Sequence, residues 1–112
     1  MIVDGCHNKP RIEIIIDEIN QHKFSKVFFV IGGTKEKNWN EICKILPNNF
    51  FYVVTKPNND RAYSLTKFKK HFESNNLKYV SFNSLDKSLE YCKLNYSRNN
   101  LIFIGGSLFM AS

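Results

Sequence analysis

Apolar residues follow one another along this chain in two alternating rhythms. Val27-Phe28-Phe29-Val30-Ile31 is a short continuous apolar run closed by Gly32-Gly33. A run with no polar residue on either side reads as a strand buried on both faces of a parallel sheet. Phe50 to Val54 and Leu101 to Ile104 read the same way, and Lys78 to Phe82 reads as a weaker, alternating strand. Met1 to Val3 has the character of the end of one more strand whose beginning is missing. Between these runs the spacing changes. Ile12, Ile15, Ile16 and Ile19 lie on one face of a helix, with Pro10 suited to its first turn, where a missing N–H costs nothing. Trp39, Ile42, Cys43 and Leu46 repeat the spacing up to Pro47. Leu65, Phe68 and Phe72 mark a third helix closed by Asn75-Asn76, and Leu85, Leu89, Cys92 and Tyr96 a fourth, capped by Ser84. A short helix is expected after Gly106-Ser107.

Strand and helix therefore alternate from end to end, without an internal repeat or linker. Alternation of this kind implies parallel strands joined by right-handed crossovers. The predicted fold is α/β: a Rossmann-like three-layer domain, its sheet mostly parallel and helices on both faces. Its 112 residues suit one domain spanning 1–112 and leave no room for a second.

Composition narrows the function only a little. The chain carries 16 Lys and Arg against 10 Asp and Glu, a net charge of +6. That excess favours an anionic partner such as a nucleotide, phosphate or carboxylate. The densest basic spot, Lys67-Phe68-Lys69-Lys70, falls on a predicted helix and reads as a solvated face. Aromatics make up 14% of residues, but most sit on strands and helix stripes where core packing explains them, so no nucleic-acid partner is expected. No apolar run reaches the ~18 residues a membrane helix needs, and the N-terminus has no secretory pattern. Cys6, Cys43 and Cys92 are odd in number and far apart, which suits reduced thiols in a cytoplasmic protein.

In open parallel sheets, ligands bind where strands exit into helices. The unusual residues of this chain cluster there: Asp4-Gly5-Cys6-His7-Asn8, Gly32-Gly33-Thr34-Lys35-Glu36-Lys37-Asn38, Thr55-Lys56-Pro57-Asn58-Asn59-Asp60-Arg61, and Gly105-Gly106-Ser107. The glycine pairs read either as turn residues supplying positive φ or as sites where backbone approaches an anion. Neither matches GxGxxG, and GxxxxGKS/T is absent, so the chain has no phosphate loop of the ATPase kind. Asp4 could accept from ribose hydroxyls and His7 donate to a ribose or carboxylate oxygen, or the pair could form a plain Asx turn. Lys35, Lys37 and Arg61 could neutralise a carboxylate or phosphate. Ser107 could donate to a ligand or simply cap a helix. No CxxC or HxxxH spacing suggests a metal. The residues by themselves lead to an anion-binding α/β domain with its ligand open.

The order of these loops is more specific. Asp4-Gly5-Cys6-His7-Asn8 resembles the DGAHN segment that opens the C-terminal domain of folylpolyglutamate synthase and dihydrofolate synthase, of the Mur ligase superfamily. Ile31 to Asn38 resembles that family's FGxxKDKD loop, Thr55-Lys56-Pro57 with Arg61-Ala62 its TxPxxxRA segment, and Ile104 to Phe109 its TGSLY segment. All four stand in family order and near family spacing. Four positions depart: Cys6 replaces Ala, Lys9 separates Asn8 from Pro10, Asn38 replaces an Asp, and Asp60 replaces the usual Pro. Asn38 removes a carboxylate.

The resemblance implies an ATP-dependent ligase. ATP and Mg would sit on a central domain of the same parent chain. ATP would phosphorylate the carboxylate of dihydropteroate or a folate, and the amine of L-glutamate would attack the acyl phosphate. By position, Asp4, His7 and Asn8 would lie at the nucleotide. Lys35, Lys37 and Ser107 would lie at the glutamate, and Arg61 is a possible anion contact. No catalytic residue and no metal ligand is expected in this chain, which reads as a fragment, inactive alone. Two other readings stand beside this one. The first is the C-terminal domain of a peptidoglycan Mur ligase, which shares a DxxHxP opening. The second is a free-standing nucleotide- or anion-binding module.

Overall fold

The computed structural model of the chain describes residues 2–5, 9–35, 37–57, 60 and 62–105, with the backbone alone for residues 2–5 and 9. Strand and helix alternate as β1 (Ile2–Gly5), α1 (Lys9–Asn20), β2 (Lys26–Gly32), α2 (Trp39–Ile45), β3 (Phe51–Thr55), α3 (Leu65–Ser74), β4 (Lys78–Phe82), α4 (Leu85–Leu94) and β5 (Asn100–Gly105). The five strands form one sheet in the order β1-β5-β2-β3-β4, and every pairing between them is parallel.

The two sides of the sheet bury different side chains. Phe29 and Ile31 of β2, Tyr52 and Val54 of β3, and Leu101 and Phe103 of β5 face a core closed by Ile12, Ile16 and Ile19 of α1, Trp39, Ile42 and Cys43 of α2, and Phe68 and Phe72 of α3. Phe28, Val30, Val53, Ile102 and Ile104 face the other way, toward Cys92, Leu85, Leu89 and Tyr91 of α4. Three layers follow, with α1, α2 and α3 on one side and α4 on the other. Central strands covered on both faces need apolar residues at every position, which is why β2, β3 and β5 appear as continuous runs. The edge strand β4 is only half buried, and its sequence alternates accordingly.

The helix boundaries have local causes. The Asn38 carboxamide oxygen accepts the Glu41 N–H at 3.3 Å and caps α2. Ser64 and Ser84 do the same for Lys67 (3.4 Å) and Lys87 (3.3 Å) at the starts of α3 and α4. These caps satisfy N–H groups that the helix itself leaves free. At the end of α3, Asn76 adopts φ 56°, a left-handed conformation that Asn tolerates. The turn lets the Leu77 N–H reach back to the Phe72 carbonyl at 3.0 Å.

Two expectations shift. β1 runs through Gly5 rather than ending at Val3. Tyr96 lies beyond α4 and is half exposed, because α4 ends at Leu94 and is capped by Asn95, whose carboxamide donates to the Tyr91 carbonyl at 2.8 Å.

Candidate functional site

Register decides what meets at the carboxyl edge of the sheet. Gly5 stands opposite Gly105, Gly32 opposite Thr55, and Thr55 opposite Phe82. The exits of β1, β5, β2 and β3 therefore open along one edge, as the chain's periodicity predicts. Asp4 needs a correction: it is not on an exit turn but inside β1, paired with Ile104. His7, Asn8, Arg61 and Ser107, with Cys6 and the helix expected after Ser107, lie outside the described residues.

The β2 and β3 exits are the best-defined part of this edge, and they are stitched together. The Tyr63 N–H donates to the Gly33 carbonyl at 2.9 Å. Thr34 forms an antiparallel bridge with Ala62. The buried indole of Trp39 donates its Nε1–H to the Thr34 carbonyl at 2.8 Å, and the Lys37 N–H points at the same oxygen from 3.4 Å. Lys35 stands exposed at the tip of this loop, and Lys37 is half buried on its return into α2. Both cations thus project from a backbone fixed at its base. Lys56 is exposed at the next strand exit.

Gly33 has a packing reason rather than a turn reason. No described glycine has positive φ. A Cβ on Gly33 would fall 3.0–3.2 Å from three atoms of the Phe68 ring. The glycine lets the β2 exit lie directly on α3. Asn38, the position where a carboxylate is absent, works as the α2 cap.

Two polar atoms at this edge are left over. The hydroxyls of Thr34 and Thr55 are buried and have no hydrogen-bond partner among the described residues. A buried hydroxyl without a partner costs about 1–3 kcal/mol. Neither threonine stood out in the sequence beyond its place in a motif, and Trp39 read as ordinary core. The signal that Trp39 does more was its place, five residues after Thr34 and at the start of a helix.

The other ionisable groups of the described chain narrow the chemistry. Burial pushes the Cys43 thiol up to about 12 and the Cys92 thiol up to about 11. Both stay protonated at neutral pH and are poor nucleophiles. Tyr63 Oη lies 3.2 Å from His71 Nε2, and burial pulls the imidazole below its ordinary value, so the neutral ring is favoured. Among the described residues no group of three or more His, Cys, Asp or Glu side chains comes together to hold a metal. No described helix is long and apolar enough to cross a membrane.

A doubly wound α/β domain with cationic loops at its carboxyl edge is the class that fold and site define. Comparison with solved structures narrows the fold further. E. coli FolC in complex with DHPP and ADP superposes with a TM-score of 0.81 at 16% identity, over 98% of this chain and 26% of that one. A bifunctional folylpolyglutamate synthase/dihydrofolate synthase with Mn, AMPPNP and L-glutamate bound gives 0.78 at 14% identity, over 96% and 26%. Helicobacter pylori folylpolyglutamate synthetase gives 0.71 at 17% identity, again over 96% and 26%. No protein-family model matches the chain, and no curated protein does. At such identities the likeness establishes the fold: this chain has the α/β three-layer fold of one domain of those structures. It spans about a quarter of their length.

Proposed function

We propose that this chain is the C-terminal domain of an ATP-dependent ligase of the folylpolyglutamate synthase/dihydrofolate synthase type, acting in the cytoplasm. One coincidence carries the reading. The four segments that resemble this family's motifs each begin, in family order, in the last residues of a strand (Asp4-Gly5, Ile31-Gly32, Thr55 and Ile104-Gly105), in a chain that superposes on those enzymes over nearly its whole length.

In this reading the chain binds and orients rather than performs bond chemistry. A central domain of a longer polypeptide would hold MgATP and generate the acyl phosphate of dihydropteroate or a folate. Lys35 and Lys37, carried on the stitched β2 exit, and Ser107 would receive the carboxylates of L-glutamate and aim its amine at the acyl carbon. Attack forms the amide and releases phosphate. Asp4, His7 and Asn8 would lie at the nucleotide, and Arg61 would offer a further contact to an anion. The exposed Lys35 is suited to meet a mobile anion, since its tip is free while its backbone is held. The neighbours' ligands, namely ADP, AMPPNP, Mn, DHPP and L-glutamate, are the set this reading requires.

The test is a ligase assay on the native polypeptide that contains this sequence. ATP-dependent incorporation of L-glutamate into dihydropteroate or a folate is expected, and Lys35→Ala should raise the glutamate KM about tenfold or more through one lost charge-assisted contact. Incorporation into a UDP-muramoyl acceptor instead would move the chain to the peptidoglycan branch. Nucleotide binding with no ligase activity on either acceptor would leave a free-standing module.

A further inference from the structure

The backbone around Thr34 is held by several contacts at the carboxyl edge. The residue's carbonyl takes the Trp39 indole N–H at 2.8 Å. Its backbone bridges Ala62, and the preceding carbonyl takes the Tyr63 N–H at 2.9 Å. Gly33 rests on the Phe68 ring. These backbone contacts hold the loop, whereas the Thr34 hydroxyl has no hydrogen-bond partner among the described residues. The hydroxyl oxygen itself is shielded, but Thr34 keeps 8% of its surface exposed and the next residue, Lys35, is exposed. A valine of the same shape would occupy this place without an orphaned hydroxyl.

Fixed backbone beneath an unused donor is how binding sites are built in advance, because the cost of ordering is met during folding rather than on binding. A hydroxyl donates well to carboxylate oxygens, and such bonds are stronger than neutral ones. Lys35 and Lys37 follow it in sequence and supply the charge.

We propose that Thr34 is a ligand contact of this edge, its hydroxyl donating to a carboxylate oxygen of the amino-acid substrate, and that Trp39 is the residue that positions it. The inference rests on the ligase reading for the identity of the ligand. Thr55, the second orphan, lies deeper at 0% exposure and is excluded from the contact. It serves as the internal control.

The experiment is calorimetric titration of the native polypeptide with L-glutamate, ADP being present, for wild type and variants whose melting temperatures are recorded alongside. Thr34→Val should weaken L-glutamate about tenfold while leaving ADP affinity near wild type and the melting temperature at or above it, and Thr34→Ser should restore binding. Thr55→Val should leave L-glutamate affinity unchanged. Trp39→Phe keeps a ring against Phe68, now 4.6 Å away, but removes the N–H. It should weaken L-glutamate by a few-fold without altering ADP affinity, as expected of a residue that acts through Thr34. If Lys35→Ala weakens L-glutamate and Thr34→Val does not, the hydroxyl is no ligand contact, and the ligase reading survives without it. If wild type takes up no L-glutamate, the ligase reading itself fails and takes the inference with it.

Discussion

Gly33→Ala tests how the β2 exit is held. The added Cβ would meet Phe68 Cδ2, Cγ and Cε2 at 3.0, 3.1 and 3.2 Å, where ordinary carbon contacts begin near ~3.5 Å. A few tenths of an ångström must be recovered from the ring or from the loop. The ring cannot give easily. Phe68 is 1% exposed and packed against Trp39 (centroids 4.6 Å apart), Phe72 (5.2 Å) and Tyr63 (6.1 Å). The loop is pinned by the Gly33 and Thr34 carbonyls. Overpacking of this sort costs about 1–3 kcal/mol. Against it stands the entropy that alanine removes from the unfolded chain, about 0.4–1 kcal/mol, which counts in full here because the backbone needs no positive φ. The balance is a loss of about 1–1.5 kcal/mol, or roughly 4–8 °C in Tm for a domain of this size. Urea unfolding of wild type, Gly33→Ala, Phe68→Leu and the double variant measures it. The narrower, flexible leucine should relieve the contact, so the alanine should cost about 1 kcal/mol less in that background. A stabilising Gly33→Ala, or an equal cost in both backgrounds, would refute the steric account of this glycine.

Thr55→Val removes a hydroxyl that is fully buried and has no hydrogen-bond partner among the described residues. It should raise the unfolding free energy by about 1 kcal/mol, and a loss of stability in the same titration would mean that the hydroxyl has a bound water or another partner. His71 sets a pH dependence. Its folded pKa lies below the ordinary 6.5 because burial disfavours the charged ring. The unfolded chain then binds the extra proton first as pH falls, so this contribution is intact above about 6.5 and is lost on acidification below it. The denaturation midpoint should fall more between pH 7.5 and 5.5 in wild type than in His71→Gln, and parallel curves would remove His71 from the account.

The fold was legible because burial on two faces leaves little choice of residue. β2, β3 and β5 had to be apolar along their central positions, and β4, half exposed at the edge, had to alternate. The helix starts were legible where a short polar side chain precedes an apolar stripe, as at Ser84. Tyr96 misled because it continues the spacing of Leu85, Leu89 and Cys92. Periodicity carries no information about where a helix stops, and the Asn95 carboxamide that ends α4 is a local hydrogen bond. Gly33 misled differently. Positive φ is the common reason for a glycine in a loop, whereas contact with a ring 35 positions later is a tertiary fact that no local pattern carries.

Of the candidate site, the places of Lys35 and Lys37 were legible and their support was not. Lysines at strand exits show themselves by residue type, since a charge just past an apolar run has to lie at the end of a strand. What holds them does not show, because the supporting bonds are largely backbone bonds. Any residue could supply the Gly33 carbonyl, the Tyr63 N–H or the Thr34–Ala62 bridge, so no side chain marks them. Trp39 is the exception, contributing a side-chain donor, and it was hidden by doing two things at once. Its ring fills the core beside Phe68 while its N–H holds the loop that carries Lys35. A residue in that position ties the stability of the core to the shape of the site. Substitutions that disturb the packing of α2 on α3 should therefore reach the cationic loop before they unfold the sheet.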